Sequence, residues 1–324
     1  MEIEKRILGK SGIKVTKLGV GLWAVGGDEW GPVDDQDSLD MISAALDLGI
    51  NLFDTADVYG MGHSEKLLGK AMQGRRDAFV VTSKIGWVGF DRENDVSAYD
   101  TVDKLIAGVE SNLQRLQTDY IDVMQCHIDY QEPNMEIFVE GFQKLQQQGK
   151  IRAYGVSTSD FDYLKAFNAD NKTATLQIDY SILNRTPERE IFPYTLENDL
   201  GVLVRGPLAM GILTGKFDEN TTFEDGDFRQ NWIKNEDEHK IFLDDLKKVE
   251  QLKPLETEER SLAKLAIQFV MHHPAVTVAI PGAKRISQLK ENVRTALLPD
   301  LTPEEMAVID SITPPGGGRK IWPA

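Results

Sequence analysis

Short apolar runs alternate with longer stretches in which apolar residues recur every three or four positions, and the alternation repeats along most of the chain. Residues 50–53, 79–83, 121–126, 151–156, 175–178, 202–204 and 275–280 read as buried strands, with a shorter one at 18–21 before them. Helix-period segments follow at residues 34–48, 64–72, 101–116, 135–148, 161–167, 188–197, 238–252, 258–272, 286–295 and 302–312. Leu39, Ile42, Ala45 and Leu46 share one face of the first of these, and acids gather at its start, as the helix dipole favours. Leu105, Val109, Leu113 and Leu116 do the same in the third. Ser64 and Glu65 suit a helix N-terminus, Gly74 and Gly149 lie where helices stop, and Thr302 caps the last helix ahead of Glu304 and Glu305.

Strict strand–helix alternation implies a parallel sheet with right-handed crossovers. Eight units favour an α/β fold of the closed (β/α)8 TIM-barrel type over an open doubly wound sheet. Residues 5–8 and 13–16 flank Gly9-Lys10-Ser11-Gly12, a β-hairpin expected to plug the bottom of the barrel. Extra helices fall near the C-terminus. Gly19-Val20-Gly21 runs on into Leu22-Trp23-Ala24, so the dinucleotide fingerprint of an open sheet fails at its third glycine. No segment reads as a separable unit, so residues 1–324 are expected to form one domain. Residues 217–239 break the rhythm: they are acidic, carry Phe228 and Trp232, and read either as a lid or as a disordered surface loop. Residues 314–318 read as a linker-like end.

Composition narrows the partners. With 52 acids against 36 Lys and Arg the net charge is -16, which disfavours nucleic acid and anionic membrane surfaces. The N-terminus lacks the apolar core of a signal peptide, and no uncharged apolar run reaches the ~20 residues of a membrane span, so the cytoplasm is the expected compartment. Cys126 is the only cysteine; it excludes an intrachain disulfide and a cysteine-based zinc site, and its apolar run marks it as a buried hydrophobe. His272 and His273 are adjacent on a helix and cannot face one ion, so no metal site is expected.

Functional groups stand where the apolar runs stop. Asp54 follows the run at 50–53, Lys84 that at 79–83 and His127 that at 121–126; Tyr59 lies in the loop ending at Gly60. In a barrel these strand ends gather at one mouth. A tyrosine pKa near ~10 is high for proton transfer at neutral pH. Lys84 can lower it, Asp54 can hold Lys84 by a salt bridge, and His127 can hydrogen-bond a substrate oxygen. Together they would let Tyr59 give a proton to a carbonyl oxygen. Each residue alone has a bland reading, as helix cap, solvated lysine or structural histidine; the joint placement carries the catalytic one. Elsewhere, Gly282, Lys284 and Arg285 open a helix, where cations, dipole and free amides make an anion site; the bland reading is a solvated basic pair.

The segment Asn51-Leu52-Phe53-Asp54-Thr55-Ala56-Asp57-Val58-Tyr59-Gly60 resembles the signature around the catalytic Asp and Tyr of the aldo-keto reductases. Val81-Thr82-Ser83-Lys84 resembles the segment with the family's catalytic Lys, Leu116 to Asp122 leads into His127 as in the family, and Ile151 to Ser157 resembles its fifth-strand motif. Gly60 and Ser64-Glu65 after the tyrosine are similar to the microbial and potassium-channel-β-like branches. The resemblance implies a barrel that binds NADP (NADPH) without a Rossmann fold. It implies that Trp23 edges the pocket and the cofactor, as residues 128–130 edge the pocket. It implies that Ser157, Thr158 and Gln177 hold the carboxamide, with Thr158 where Asn is usual, and that Arg205 stacks in place of an aromatic. Gly206, Pro207, Leu208, Gly211 and Lys216 match the loop over the pyrophosphate. Gly282, Lys284 and Arg285 would take the adenosine 2′-phosphate, and Gln288, Glu291 and Asn292 the adenine. The implied function is NADPH-dependent reduction of small-molecule aldehydes and ketones by a monomer, with an NADP(H)-sensing subunit or an NAD-dependent polyol dehydrogenase as alternatives.

Overall fold

The protein is described here from a computed structural model that places residues 2–27, 33–86, 99–127, 135–225 and 227–321. The chain opens with the antiparallel pair β1 (Lys5–Ile7) and β2 (Lys14–Thr16). The link between them needs glycine: Gly9 has φ +50°, and a Cβ there would fall 2.2 Å from the Gly201 nitrogen. Strand β3 (Val20–Gly21), helical turn α1 (Trp23–Gly26) and helix α2 (Asp35–Asp47) follow. Then come β4 (Leu52–Asp54), α3 (His63–Met72), β5 (Val80–Ile85), α4 (Val102–Leu116), β6 (Ile121–His127), α5 (Met135–Gln147), β7 (Ile151–Ser157) and α6 (Phe161–Phe167). The second half runs β8 (Thr175–Asp179), α7 (Ile191–Glu197), β9 (Gly201–Arg205), α8 (Asn231–Lys234), α9 (Glu236–Leu252), α10 (Leu262–His272), β10 (Val276–Ala279), α11 (Ile286–Ala296) and α12 (Pro303–Ile312).

Strands β3 to β10 pair in parallel, each with its neighbour in the chain. The ring closes where Gly19 N–H donates to Ala279 O at 2.8 Å, Ala279 N–H to Lys17 O at 3.0 Å and Gly21 N–H to Pro281 O at 3.2 Å. The expected closed eight-stranded barrel is therefore present. Its outward residues, among them Phe53, Val81, Met124, Val156, Leu176 and Val202, pack with the helices into one large core.

The inside of the barrel has two halves. Leu52, Val80, Val123, Ala153, Leu203 and Val278 form an apolar floor, and Leu8, Ile13 and Val15 of the hairpin close it from below. The hairpin plugs the barrel as expected. Further along the strands the inward side chains become polar: Asp54, Thr82 and Gln125 lie two residues beyond the floor, Ser157 four beyond it, and Gln177 on β8 joins them, all buried. The same alternation thus builds a dry floor and a polar mouth.

Differences from the expected elements have local causes. Residues 188–197 start with a separate 3-10 turn at Thr186–Glu188, where Pro187 fits the first helical positions. Helix α9 begins earlier than expected because Asn235 caps it, accepting from the Asp237 and Glu238 amides. Helix α10 begins later, at Leu262. The described part of 217–239 packs on the barrel: Trp232 is buried against Phe223, Phe228 and Phe242, with its ring centroid 5.7 Å from that of Phe242. This is not a surface loop. The linker-like tail is fastened down as well. Gly316 N–H donates to Glu188 Oε2, Arg319 pairs with Asp245, and Ile321 N–H reaches Asp179 Oδ2 at 3.1 Å. Cys126 is fully buried and burial pushes its thiol up to about 12, as suits a core residue. Among the described residues no helix is long and apolar enough to cross a membrane.

Candidate active site

The polar mouth is organised around Asp54. Leu52 and Phe53 bury either face of β4, and the strand stops with the Asp54 carboxylate turned inward. Its Oδ2 accepts from Lys84 Nζ at 2.7 Å, while Oδ1 accepts from Thr82 Oγ1 at 2.7 Å and from Gln177 Nε2, across the barrel, at 2.8 Å. Lys84 is fully buried on β5. Its ammonium donates to Asp54, to the Thr55 carbonyl at 2.9 Å and to the Tyr59 hydroxyl at 3.2 Å, which engages its three protons.

The loop that carries Tyr59 is fixed from both sides. Gly60 lies so close to Gly26 that a Cβ would fall 2.3 Å from the Gly26 carbonyl oxygen. That approach lays α1 over the loop and stacks Trp23 on Tyr59, with ring centroids 6.0 Å apart. Phe228 from the insertion stacks on Trp23 at 6.2 Å. Below, Thr55 and Ser64 share a hydroxyl contact of 2.9 Å, and Ser64 donates on to the Leu22 carbonyl. His127, at the end of β6, sets its ring edge-on to Tyr59 at 6.2 Å.

Charge states follow from this packing. Burial raises the Tyr59 pKa and outweighs the opposing pull of Lys84. The depression expected from Lys84 alone is therefore reversed, and the phenol keeps its proton at neutral pH. Burial works against the Lys84 charge, but Asp54 and Tyr59 prevail and its pKa is raised. His127 is held well below the usual imidazole range by burial, then by Lys84 and Arg205, so it is neutral at pH 7.

A second buried cluster supports the first and had no signal in the strand-end pattern. Glu65 at the start of α3 accepts from Ser83 Oγ (2.6 Å), Asn112 Nδ2 (2.8 Å) and Arg115 Nε (2.6 Å). Asp57 donates its amide to the Lys84 carbonyl at 3.2 Å, and its carboxyl is pushed up to about 8, by burial first and then by Glu65. Asp57 on the loop and Glu65 at the start of α3 thus lie beside the cluster of Asp54, Lys84 and Tyr59.

The expected cofactor residues divide into three groups. At the mouth, Ser157 is paired in register with His127 and Gln177, and Thr158 N–H donates to the Gln177 carbonyl at 3.0 Å. The Thr158 hydroxyl accepts from the Asp160 amide at 2.9 Å and so shapes the turn into α6. Arg205 ends β9, and its charge is felt at both Tyr59 and His127. Next comes the loop after β9. Gly206 has φ +66° against Asp179, Pro207 and Leu208 follow, and Gly211 at φ +100° lies under Phe217 and Arg229; Lys216 is exposed. The last group opens α11. Gly282 bridges to Gly21, and the amides of Lys284 and Arg285 donate to Gln288 Oε1 at 2.9 and 3.2 Å. Gln288 therefore serves as a reach-back cap. Glu291 is bonded to Lys264 and Arg294, and Asn292 is half-buried on the same helix.

Arg229 is the residue the sequence did not mark. The insertion brings it to the Met210 carbonyl at 3.2 Å and locks it on Asp227, and its charge, after burial, is the main influence lowering the Lys284 pKa. Residues 128–130, expected to edge the pocket, lie outside the described residues. Among the described residues no group of His, Cys, Asp and Glu could hold a metal ion.

Comparison with known proteins places this geometry. The Aldo/keto reductase family profile matches residues 17–314. Aldo-keto reductase YhdN of Bacillus subtilis is 35% identical over 294 residues, 89% of this chain and 87% of that one. A probable voltage-gated potassium channel subunit beta of Oryza sativa is 31% identical over 94% of this chain and 95% of its own. The NADH-specific methylglyoxal reductase of Escherichia coli is also 31% identical, over 90% and 93%. Among solved structures, the glycerol dehydrogenase AKR11B4 from Gluconobacter oxydans superposes with a TM-score of 0.80 at 34% identity, covering 95% of this chain and 94% of its own. A Klebsiella pneumoniae aldo/keto reductase in complex with NADP and acetate gives 0.71 at 26% identity, over 98% and 99%. The strand-end cluster, the plugged barrel and the matched profile together make this chain a member of the aldo/keto reductase family of nicotinamide-dependent oxidoreductases.

Proposed function

We propose that the protein is an NADPH-dependent carbonyl reductase that converts small aldehydes and ketones to alcohols, with Tyr59 as the general acid. The observation that carries this reading is the unbroken chain Asp54–Lys84–Tyr59, at 2.7 and 3.2 Å, with a neutral His127 beside it. The cofactor supplies the hydride. The chain's own residues do the rest. His127 donates a hydrogen bond to the carbonyl oxygen, and Tyr59, kept protonated by burial, gives its proton to that oxygen. Lys84, held by Asp54, stabilises the phenolate left behind. Trp23 covers one side of the phenol and limits access of water.

The residues present fit the cofactor. Lys284 loses basicity through burial first and then beside Arg229 and Arg285 at the open end of α11, a spot that gains stability when an anion arrives. This supports NADP over NAD, with Lys284 and Arg285 on the 2′-phosphate. Ser157, Thr158, Gln177 and Arg205 stand at or next to the ends of β7, β8 and β9 around the mouth, where the carboxamide would lie. The same reading takes the whole chain as one catalytic domain, acting as a monomer in the cytoplasm. The likeness to a channel β subunit keeps a second reading in view, an NADP(H)-sensing subunit. Slow turnover on every carbonyl compound tried, together with tight cofactor retention, would favour it.

The test is Tyr59→Phe, assayed by NADPH consumption on a panel of aldehydes, ketones and sugars. Turnover is expected to fall by at least about a hundredfold, while NADPH affinity changes less than about threefold. Equal turnover in the variant ends the acid role.

A further inference from the structure

Inside the barrel, level with Lys84, lies a row of residues of which the proposed mechanism uses Lys84 alone. Lys84, Gln125, Gly155, Thr175 and Gly201 are successive register partners on strands β5 to β9. Alternation turns all of them inward. Gln125 and Thr175 are fully buried. Both amide atoms of Gln125, Nε2 and Oε1, and the Thr175 hydroxyl have no hydrogen-bond partner among the described residues. Leaving such groups bare is costly, and native interiors rarely do so.

The geometry gives these atoms a common space. Gly155 stands between the two side chains and contributes none itself. The Thr175 hydroxyl leans into the place a side chain at 155 would take: a Cβ there would fall 2.0 Å from Thr175 Oγ1. Adjacent strands are about 4.8 Å apart, so two steps separate the Gln125 and Thr175 backbones by roughly 10 Å. A glutamine side chain and a leaning hydroxyl leave a gap that one small molecule spans. The floor is shut by Leu8, which packs directly on Gly201. The roof is the next row, His127, Ser157 and Gln177.

We propose that this gap is an internal hydration site, holding one water molecule between the Gln125 amide and the Thr175 hydroxyl, under the residues that carry the catalytic chemistry. The donor set selects water. An amide N–H donor, an amide carbonyl acceptor and a hydroxyl that does either match the roughly three bonds an enclosed water makes. A hard cation is excluded, because it needs about six oxygen ligands, commonly with carboxylate charge. The water makes the gap at Gly155 a packed part of the barrel, and Gln125 and Thr175 become its ligands.

The direct test is a crystal structure of the cofactor-bound protein at better than about 2 Å resolution. The expected result is one ordered water at about 2.7–3.2 Å from the Gln125 amide and from Thr175 Oγ1. An empty gap, or Gln125 bonded straight to Thr175, overturns the proposal. The second test is a cycle of Gln125→Met and Thr175→Val, read by melting temperature. Each single change strips the water of a ligand and leaves the other group bare, so each lowers the melting temperature by about 2–6 °C. The double variant needs no water and is expected to lose less than the sum of the two. Strictly additive losses overturn the site.

Discussion

Asp57, buried beside the loop that carries Tyr59, is expected to shape the pH response of the whole protein. Its carboxyl rises to about 8 through burial, with Glu65 adding to the rise and Arg115 and Lys84 opposing it. The unfolded chain binds the same proton with a pKa near ~3.9. A raised folded value means that the native state holds the proton more tightly. The stabilising contribution is complete below about pH 4 and is lost as pH climbs through about 8. Glu65 is raised in the same direction, again by burial first. We expect thermal melts from pH 5 to pH 9 to show a fall in stability that Asp57→Asn, neutral and of equal size, largely removes. The difference between the two proteins should be on the order of 2–5 kcal/mol at pH 9. Superimposable pH profiles would remove Asp57 as the source. At this scale the sequence was readable for Asp54, Tyr59, Lys84 and His127, because each stands at or just after the end of an apolar run and a barrel collects run ends. The direction of the Tyr59 shift was not readable. It depends on how deep the phenol lies, and depth comes from Gly26 meeting Gly60 and from Trp23 folding over, contacts that no local pattern encodes.

At the scale of elements, the start of α11 carries the sharpest prediction. Its free amides are partly satisfied from within, by Gln288, so the site relies on side-chain charge from Lys284 and Arg285 and on Arg229 nearby. A charge-assisted bond to phosphate contributes about 1.5–3 kcal/mol. Lys284→Ala is therefore expected to weaken NADPH binding by roughly tenfold or more, and NADH binding by less than about threefold. Fluorescence titration of both nucleotides measures this directly. Unchanged NADPH affinity would take Lys284 out of the phosphate site. The basic pair was legible as a helix-start motif, but its neighbour was not. Arg229 arrives through an insertion without helical or strand period, placed by the burial of Trp232, the stacking of half-buried Phe228 on Trp23, and its bonds to Asp227 and the Met210 carbonyl. Gln288 shows the reverse case. The resemblance suggested adenine, and the local geometry of a reach-back cap claims its side-chain oxygen.

For the molecule as a whole, the interior divides labour along the barrel axis, and this division can be tested by striking the floor alone. Leu8 is fully buried, belongs to the apolar floor, and presses on Gly201 so closely that a Cβ there would meet its side chain at 2.7 Å. The groups bonded to Asp54 and Lys84, namely Thr82, Gln177, the Thr55 carbonyl and Tyr59, belong to the polar layer and not to this floor cluster. Leu8→Ala removes three carbon atoms from a tightly filled space that the rigid strands around it cannot readily collapse. The expected loss is about 2–5 kcal/mol of unfolding free energy, seen as a lower urea midpoint with the slope unchanged. The polar mouth draws its geometry from Asp54, Thr82, Lys84 and Gln177, whose mutual bonds do not involve the floor. Turnover and NADPH affinity per folded molecule, measured well below the melting temperature, should therefore stay within about twofold of the parent protein. A variant that remains folded yet loses most of its turnover would show that the hairpin holds the catalytic layer in place through the barrel wall. In that case the plug would be part of the active site's support and not merely a seal.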